Sequence, residues 1–381
     1  MQTVLVTGGA GFIGSHLVPL LAAEGRRVRV FDALAPQIHG MLPNPGLEWL
    51  TTTPGVEFVR GSVTNEGDLR TALDGVSTVV HLAAETGTGQ SMYEIDRYCR
   101  ENVQGTALLM HLVANGAAPA VRRVVLASSR SVYGEGAYVY ADGENGGRIT
   151  PSSRSAEAMR AGQWEPLCPT TGAALKVVPT REDDRTSPAS IYAATKLAQE
   201  DLIRITCESV GIGYAILRLQ NVYGEGQSLN NPYTGILSIF STRIRRGLEL
   251  PIFEDGLESR DFVHVADVAT AFAAAVQAKT SANCVVNVGS GVATSVTDIA
   301  RSLCRAFNAS ENIRVTGQFR LGDIRHNVAD IGRMRERLGL APKITLEEGL
   351  RRFAVWVQGQ SLPEDRLAQA NAELEKRKMM G

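Results

Sequence analysis

The sequence predicts an α/β protein built on a doubly wound parallel sheet, with a smaller α/β lobe after it. Three observations carry this. Short β-rich runs alternate with helical stretches through residues 3–221. Those runs are nearly continuously apolar, as strands buried on both faces must be. A glycine-rich turn, TGGAGFIG (7–14), joins the first run to the first helix.

TVLVT (3–7) is the first strand, and Phe12–Glu24 the first helix, with Leu17, Leu20 and Leu21 on one face. RRVRVFD (26–32) and VEFVRG (56–61) follow as strands, then the helix EGDLRTAL and the strand STVVHLAA (77–84). Helix Met92–Ala114, strand RRVVLASS (122–129), helix Ile191–Val210 and strand GYAILRLQN (213–221) complete the alternation. Strands joined by crossover helices run parallel. Residues 1–222 therefore form the first domain. Beyond them the rhythm loosens into a second lobe, 223–355, and the chain returns to the sheet within 263–291. The tail, 356–381, is charged and helix-prone, and is expected as a solvated helix without chemistry. Residues 135–187 break the pattern with many Gly, Ser, Thr and Pro. So long a connection is uncommon in a compact domain and is often functional. Short hairpins are expected in it, such as ALKVVPT after PTTG.

Composition removes several classes of function. Lys plus Arg number 39 and Asp plus Glu 40, so no global field favours nucleic acid or an anionic membrane. An anionic ligand must be held by local groups. No apolar run approaches the ~20 residues that span a bilayer; ATAFAAAVQA (269–278) reads as a buried helix. The first residues run straight into a strand, with no secretory leader pattern. Cys99, Cys168, Cys207, Cys284 and Cys304 are scattered without C-x-x-C spacing, which suggests reduced thiols in a cytoplasm.

The glycine turn has the context of a dinucleotide cradle, the Rossmann arrangement: strand before, helix after. Gly8 permits the tight turn, Gly11 lets the backbone approach a pyrophosphate, and Gly14 lets helix and strand pack closely. The free N–H groups of the helix start bind the anion. Asp32 ends the next strand, placed to accept from adenosine ribose hydroxyls and to repel a 2′-phosphate. NAD is favoured over NADP.

Tyr192 and Lys196, in YAATK, lie at i and i+4 and share a helix face. An ammonium near a phenol stabilises phenolate and suits Tyr192 to acid/base work. Ser129 ends a strand, where ligands of such sheets gather, and can hydrogen-bond the reacting oxygen.

TGGAGFIG, HLAA (81–84), SSRSVYG (128–134), YAATK, LRLQNVYG (217–224) and RDFVHVADV (260–268) together resemble the extended short-chain dehydrogenase/reductase family, and within it the NAD-dependent nucleotide-sugar epimerases and dehydratases. The resemblance implies further roles. Phe12 and Ile13 belong to the pyrophosphate loop; Ser62 and Val63 lie beside adenine, Ser62 where relatives carry Asp; Leu82, Ala83 and Ala84 line the cofactor, with Asn102 near the nicotinamide. Asn221, Arg260, Arg320 and Asp323 match contacts to substrate diphosphate and nucleotide. The loop from Glu85 to Gln90 should face the sugar, with Glu85 and Gln90 as specificity residues. Relatives dimerise through two helices per subunit, so a homodimer is implied.

Family dehydratases carry an acidic pair where this chain has Arg130 and Ser131, so C4 epimerisation is expected instead of 4,6-dehydration. The segments 85–98, 135–187 and GQSLNNPYTGI (226–236) resemble one branch, the dTDP-L-rhamnose 4-epimerases. In similar proteins the excursion often reads C-P-x-C-G; here Cys168 has no second Cys, and no metal is expected. A UDP-glucose or UDP-N-acetylhexosamine 4-epimerase, a nucleotide-sugar reductase or dehydrogenase, and a non-catalytic dinucleotide sensor remain the alternatives.

Overall fold

The computed structural model describes residues 2–40, 44–140, 147–229, 235–277, 283–365, 367–377 and 379–381. Seven parallel strands form the main sheet: β1 (Thr3–Thr7), β2 (Arg27–Asp32), β3 (Val56–Arg60), β4 (Val76–His81), β5 (Arg123–Ser129), β6 (Gly213–Leu219) and β7 (Cys284–Val288). Their order is β7-β6-β5-β4-β1-β2-β3. Val6 of β1 pairs with Val30 on one side and Val80 on the other. The winding reverses between β1 and β4, which opens a crevice beyond the carboxyl ends of those strands.

The strand period of two sends neighbours to opposite faces. Val4 and Val6 pack with α1 (Phe12–Ala23) and α5 (Val265–Gln277) through Leu17, Leu21 and Phe272. Leu5 packs on the other face with α2 (Glu66–Leu73), α3 (Gly105–Ala114) and α4 (Ile191–Val210) through Leu69, Leu109 and Ile203. Each such side chain stabilises the sheet by about 1.5–3 kcal/mol on full burial. Among the described residues no helix is long and apolar enough to cross a membrane.

The structure departs from the sequence expectation in several places. The helix expected from Met92 starts at Ile95, because Thr88–Ser91 forms a separate turn after Gly87, whose φ is 121°. A π-helical turn, Cys99–Gln104, then leads into α3. β4 stops at His81, and Leu82 and Ala83 stay tethered to Thr7 of β1, Leu82 N donating to its carbonyl at 3.0 Å. The second lobe holds a three-stranded sheet (Asn221–Tyr223, Ser259–His264, Ala293–Ser295) and a core around Leu237, Phe240 and Phe353. Within the stretch expected as the second lobe, Ala329, Ile331 and Met334 join the first core, where the helix Gly332–Leu338 packs on β7. β7 is an edge strand, and an uncovered edge is a liability.

The 135–187 excursion carries its own antiparallel sheet of Arg148–Ile149, Tyr138–Tyr140 and Leu175–Val177. The PTTG turn closes through Cys168 N–H to Ala173 O at 2.8 Å. Buried ion pairs tie the excursion to the second lobe. Arg154 meets Glu135 and Glu254, and Arg325 meets Glu165, Glu254 and Asp255. The tail is not a free solvated helix. Its helix, Leu367–Lys376, leads back to Phe319 and Leu321, where main-chain hydrogen bonds hold it.

Candidate active site

Close approach dictates the glycine loop. Gly8 has φ 65°, and a Cβ there would sit 2.6 Å from Ala83 N; a Cβ on Gly14 would sit 2.3 Å from Gly9 O. Gly11 precedes α1 without a side-chain cap, so the first-turn N–H groups stay open to an anion. Asp32 clamps the loop: Oδ2 accepts from Ala10 N at 3.1 Å and Oδ1 from Leu34 N at 2.8 Å. A carboxylate has about four acceptor sites, so capacity remains for a ribose diol. Ser62 has its N–H held by Asp68 at 3.0 Å and its hydroxyl paired with Thr64 at 2.8 Å. These features fit a dinucleotide.

One continuous cavity of about 680 Å³ runs from this loop to the second lobe. Gly8, Gly11, Phe12, Ile13, Gly14, Asp32, Ser62, Val63, Leu82, Ala83 and Ala84 line one end; Ser129, Tyr192, Lys196 and Glu85 line the middle; Asn221, Arg260, Arg320 and Asp323 line the other end. Two expected residues lie apart from the wall. Gln90 is buried, its amide committed to Gln37, Tyr98 and Glu94. Asn102 is fully buried and holds the Glu85 backbone. Of GQSLNNPYTGI, residues 230–234 lie outside the described residues.

Ser190 caps α4 by accepting from Ala193 N at 3.1 Å, which fixes the face that presents Tyr192 and Lys196. Ser91 Oγ accepts from Tyr192 N at 3.0 Å. Ser129 Oγ accepts from Ser131 N at 3.2 Å and Ser131 Oγ at 3.0 Å. The expected depression of the phenol is not found in the protein alone. Burial raises the Tyr192 pKa, and Ser129 and the Arg130 charge only partly oppose it. Lys196 Nζ donates to Ala127 O at 3.0 Å and lies 6.0 Å from the Tyr192 ring centroid. Burial lowers its pKa to about 7, against the pull of Glu200.

The sequence marks Arg130 only by the acid it replaces. It lines the cavity, and its Nε donates to Asn221 Oδ1 at 2.7 Å. Burial, with Arg260 nearby, pulls its guanidinium below the ordinary range. Arg260 donates to the carbonyls of Ser259, Ile324 and Arg325. Arg320 stacks 4.6 Å over Phe253 and donates to Asn371 at 2.8 Å. Leu367 and Met379 of the tail also line the cavity, and no motif in the sequence marks them. Among the described residues, no group of three or more His, Cys, Asp or Glu is placed to hold a metal ion.

The family model described as "NAD dependent epimerase/dehydratase family" matches residues 4–165 and 168–289. The chain belongs to this family. It is 40% identical over 361 residues to the dTDP-L-rhamnose 4-epimerase of Burkholderia thailandensis, across 93% of this chain and 95% of that protein. Among solved structures it resembles the UDP-glucose 4-epimerase of Thermotoga maritima with UDP-glucose, at 27% identity and a TM-score of 0.74, covering 94% of this chain and 99% of that one. It also resembles MoeE5 in complex with UDP-glucuronic acid and NAD, at 30% identity and a TM-score of 0.73, covering 93% and 99%. The family member described here is an NAD-dependent nucleotide-sugar 4-epimerase.

Proposed function

We propose that this 4-epimerase acts on dTDP-L-rhamnose and forms dTDP-6-deoxy-L-talose. The observation that carries the reaction type is the Ser129–Tyr192 pair in one cavity with the glycine cradle, with Arg130 and Ser131 where a dehydratase holds its acids. Tyr192 accepts the proton of the C4 hydroxyl and later returns it, while Ser129 hydrogen-bonds the same oxygen. Gly8, Gly11, Gly14 and Asp32 would hold NAD, which would supply reversible hydride transfer at the sugar C4. Asn221, Arg260 and Arg320 face the diphosphate and Asp323 the nucleotide ribose. The Glu85 loop borders the sugar, with its carboxylate oriented by Arg97 at 2.7 Å.

The sugar reading is supported by the 40% identity over nearly the whole chain. A UDP-hexose substrate is the second reading, favoured by neighbours solved with UDP-sugars. Incubation with dTDP-L-rhamnose and with UDP-galactose, with products resolved by NMR, separates them. Turnover of the UDP-sugar alone would sink the first reading. Net accumulation of NADH in proportion to substrate would show a dehydrogenase instead.

Homodimerisation is proposed through the helical surface that leaves Ile95 and Ile205 about half exposed. Sedimentation of wild type and Ile205→Arg tests it. All five thiols are free, which suits a reducing compartment such as the cytoplasm.

A further inference from the structure

The tail crosses the cavity mouth from one lobe to the other. At the second lobe, Phe319 N donates to Gly381 O at 2.8 Å, Gly381 N to Phe319 O at 3.1 Å, and Leu321 N to Met379 O at 2.9 Å. At the first lobe, the Arg377 guanidinium lies 4.2 Å over the Tyr93 ring, and Tyr93 OH donates to Glu373 at 3.4 Å. Tyr93 follows the turn whose Ser91 holds the Tyr192 backbone. The approach to the tail is fixed by Arg243 on Asp365 and by Arg246 on the Pro363 carbonyl. Between these anchors, Leu367 and Met379 form part of the cavity wall. Asn371 takes one donor of Arg320 at 2.8 Å, while Arg320 Nε is buried with no partner among the described residues. A buried donor left unmade is costly, so that atom is set for an incoming acceptor oxygen.

We propose that residues 367–377 and 379–381 are a retaining strap of the substrate site, with Asn371 positioning Arg320 for the substrate diphosphate. The proposal rests on the 4-epimerase reading. Oxidation at C4 moves a hydride and its two electrons to the nicotinamide and the hydroxyl proton to Tyr192, leaving a ketone. That ketone must turn over before the hydride returns. If it leaves midway, the hydride has no acceptor and the enzyme stops with a reduced cofactor. A wall fastened to both lobes holds the nucleotide end while the sugar turns.

The test uses the holoenzyme, a chain truncated after Asp365, Asn371→Ala, and a Glu373→Ala/Arg377→Ala double variant that loosens only the first-lobe anchor. Calorimetry with dTDP and with UDP reads the nucleotide end directly. Truncation and Asn371→Ala are expected to weaken diphosphate binding about tenfold, the worth of one hydrogen bond to a charged group. With the nucleotide sugar that wild type turns over, truncation and the double variant are expected to release 4-keto sugar, trapped by borodeuteride. Near-ultraviolet absorbance of reduced nicotinamide should rise toward one equivalent per site as turnover decays. Wild-type binding and no released ketone in all three would overturn the strap. If truncation prevents folding, the double variant decides by the same readouts. If wild type turns over no nucleotide sugar, the 4-epimerase reading fails, while the dTDP and UDP binding arm still decides whether the tail belongs to the site.

Discussion

The side-chain amide of Asn102 pairs with both main-chain groups of Glu85: Oδ1 accepts its N–H at 2.7 Å and Nδ2 donates to its carbonyl at 3.1 Å. The same Nδ2 reaches Thr195 Oγ1 at 3.0 Å, the neighbour of Lys196 on α4. One buried amide thus fixes a cavity loop to the helix of the reaction centre. Asn102→Leu should destabilise the fold by about 1–3 kcal/mol for each polar group left unpaired. Urea titration measures that, and KM for the nucleotide sugar should rise as the loop loosens.

Arg130 places a positive charge where it lowers the Tyr192 pKa. In Arg130→Met the phenol rises further, so the limb of the pH–rate profile set by phenolate moves to higher pH. Each unit of that shift lowers the phenolate fraction about tenfold near neutral pH. Arg130→Lys should restore part of the shift, because charge returns without the Asn221 bond. A profile that does not move in Arg130→Met would remove Arg130 from this role.

Lys196 falls from an ordinary 10.5 to about 7 by burial. Between these values the unfolded chain binds more protons than the folded one, so stability rises with pH across pH 7 to 10.5. Lys196→Met should flatten that rise in the cofactor-free protein. Urea midpoints at the two ends of the window give the slope.

Arg325 is only 1% exposed and compensates Glu254, Asp255 and Glu165. Arg325→Met removes the cation of Asp255 and one of the two that meet Glu254, at a cost of about 3–5 kcal/mol for a broken buried pair. The excursion should loosen first, seen as faster hydrogen exchange at Tyr138–Tyr140.

Local order was legible where chemistry repeats along the chain. The apolar strands fixed the sheet, and the glycine spacing with Asp32 pointed to residues that the fold gathers at one end of the cavity. The i, i+4 spacing in YAATK put Tyr192 and Lys196 on one helix face, and both line the cavity. What escaped the sequence depends on which distant groups meet. Gln90 looked available until Gln37, Tyr98 and Glu94 claimed its amide. Lys196 looked like the phenol's partner until burial and the Ala127 carbonyl took precedence. The tail reads as polar helix because its partners, Tyr93, Phe319, Arg320 and Leu321, are distant in the chain and leave no pattern in the tail's own residue types.

The excursion leaves and rejoins the fold through a narrow neck. Ser187 N donates to Val132 O at 2.9 Å, and a Cβ on Gly134 would strike Ser187 O at 2.2 Å. Ser129 lies just before this junction and Tyr192 just after it. The neck therefore holds their spacing whatever the length of the loop between, while Arg154, Glu165 and Glu182 tie that loop to the rest of the fold. Added length in the excursion costs little closure entropy, so it can grow or shrink without moving the proton-transfer pair.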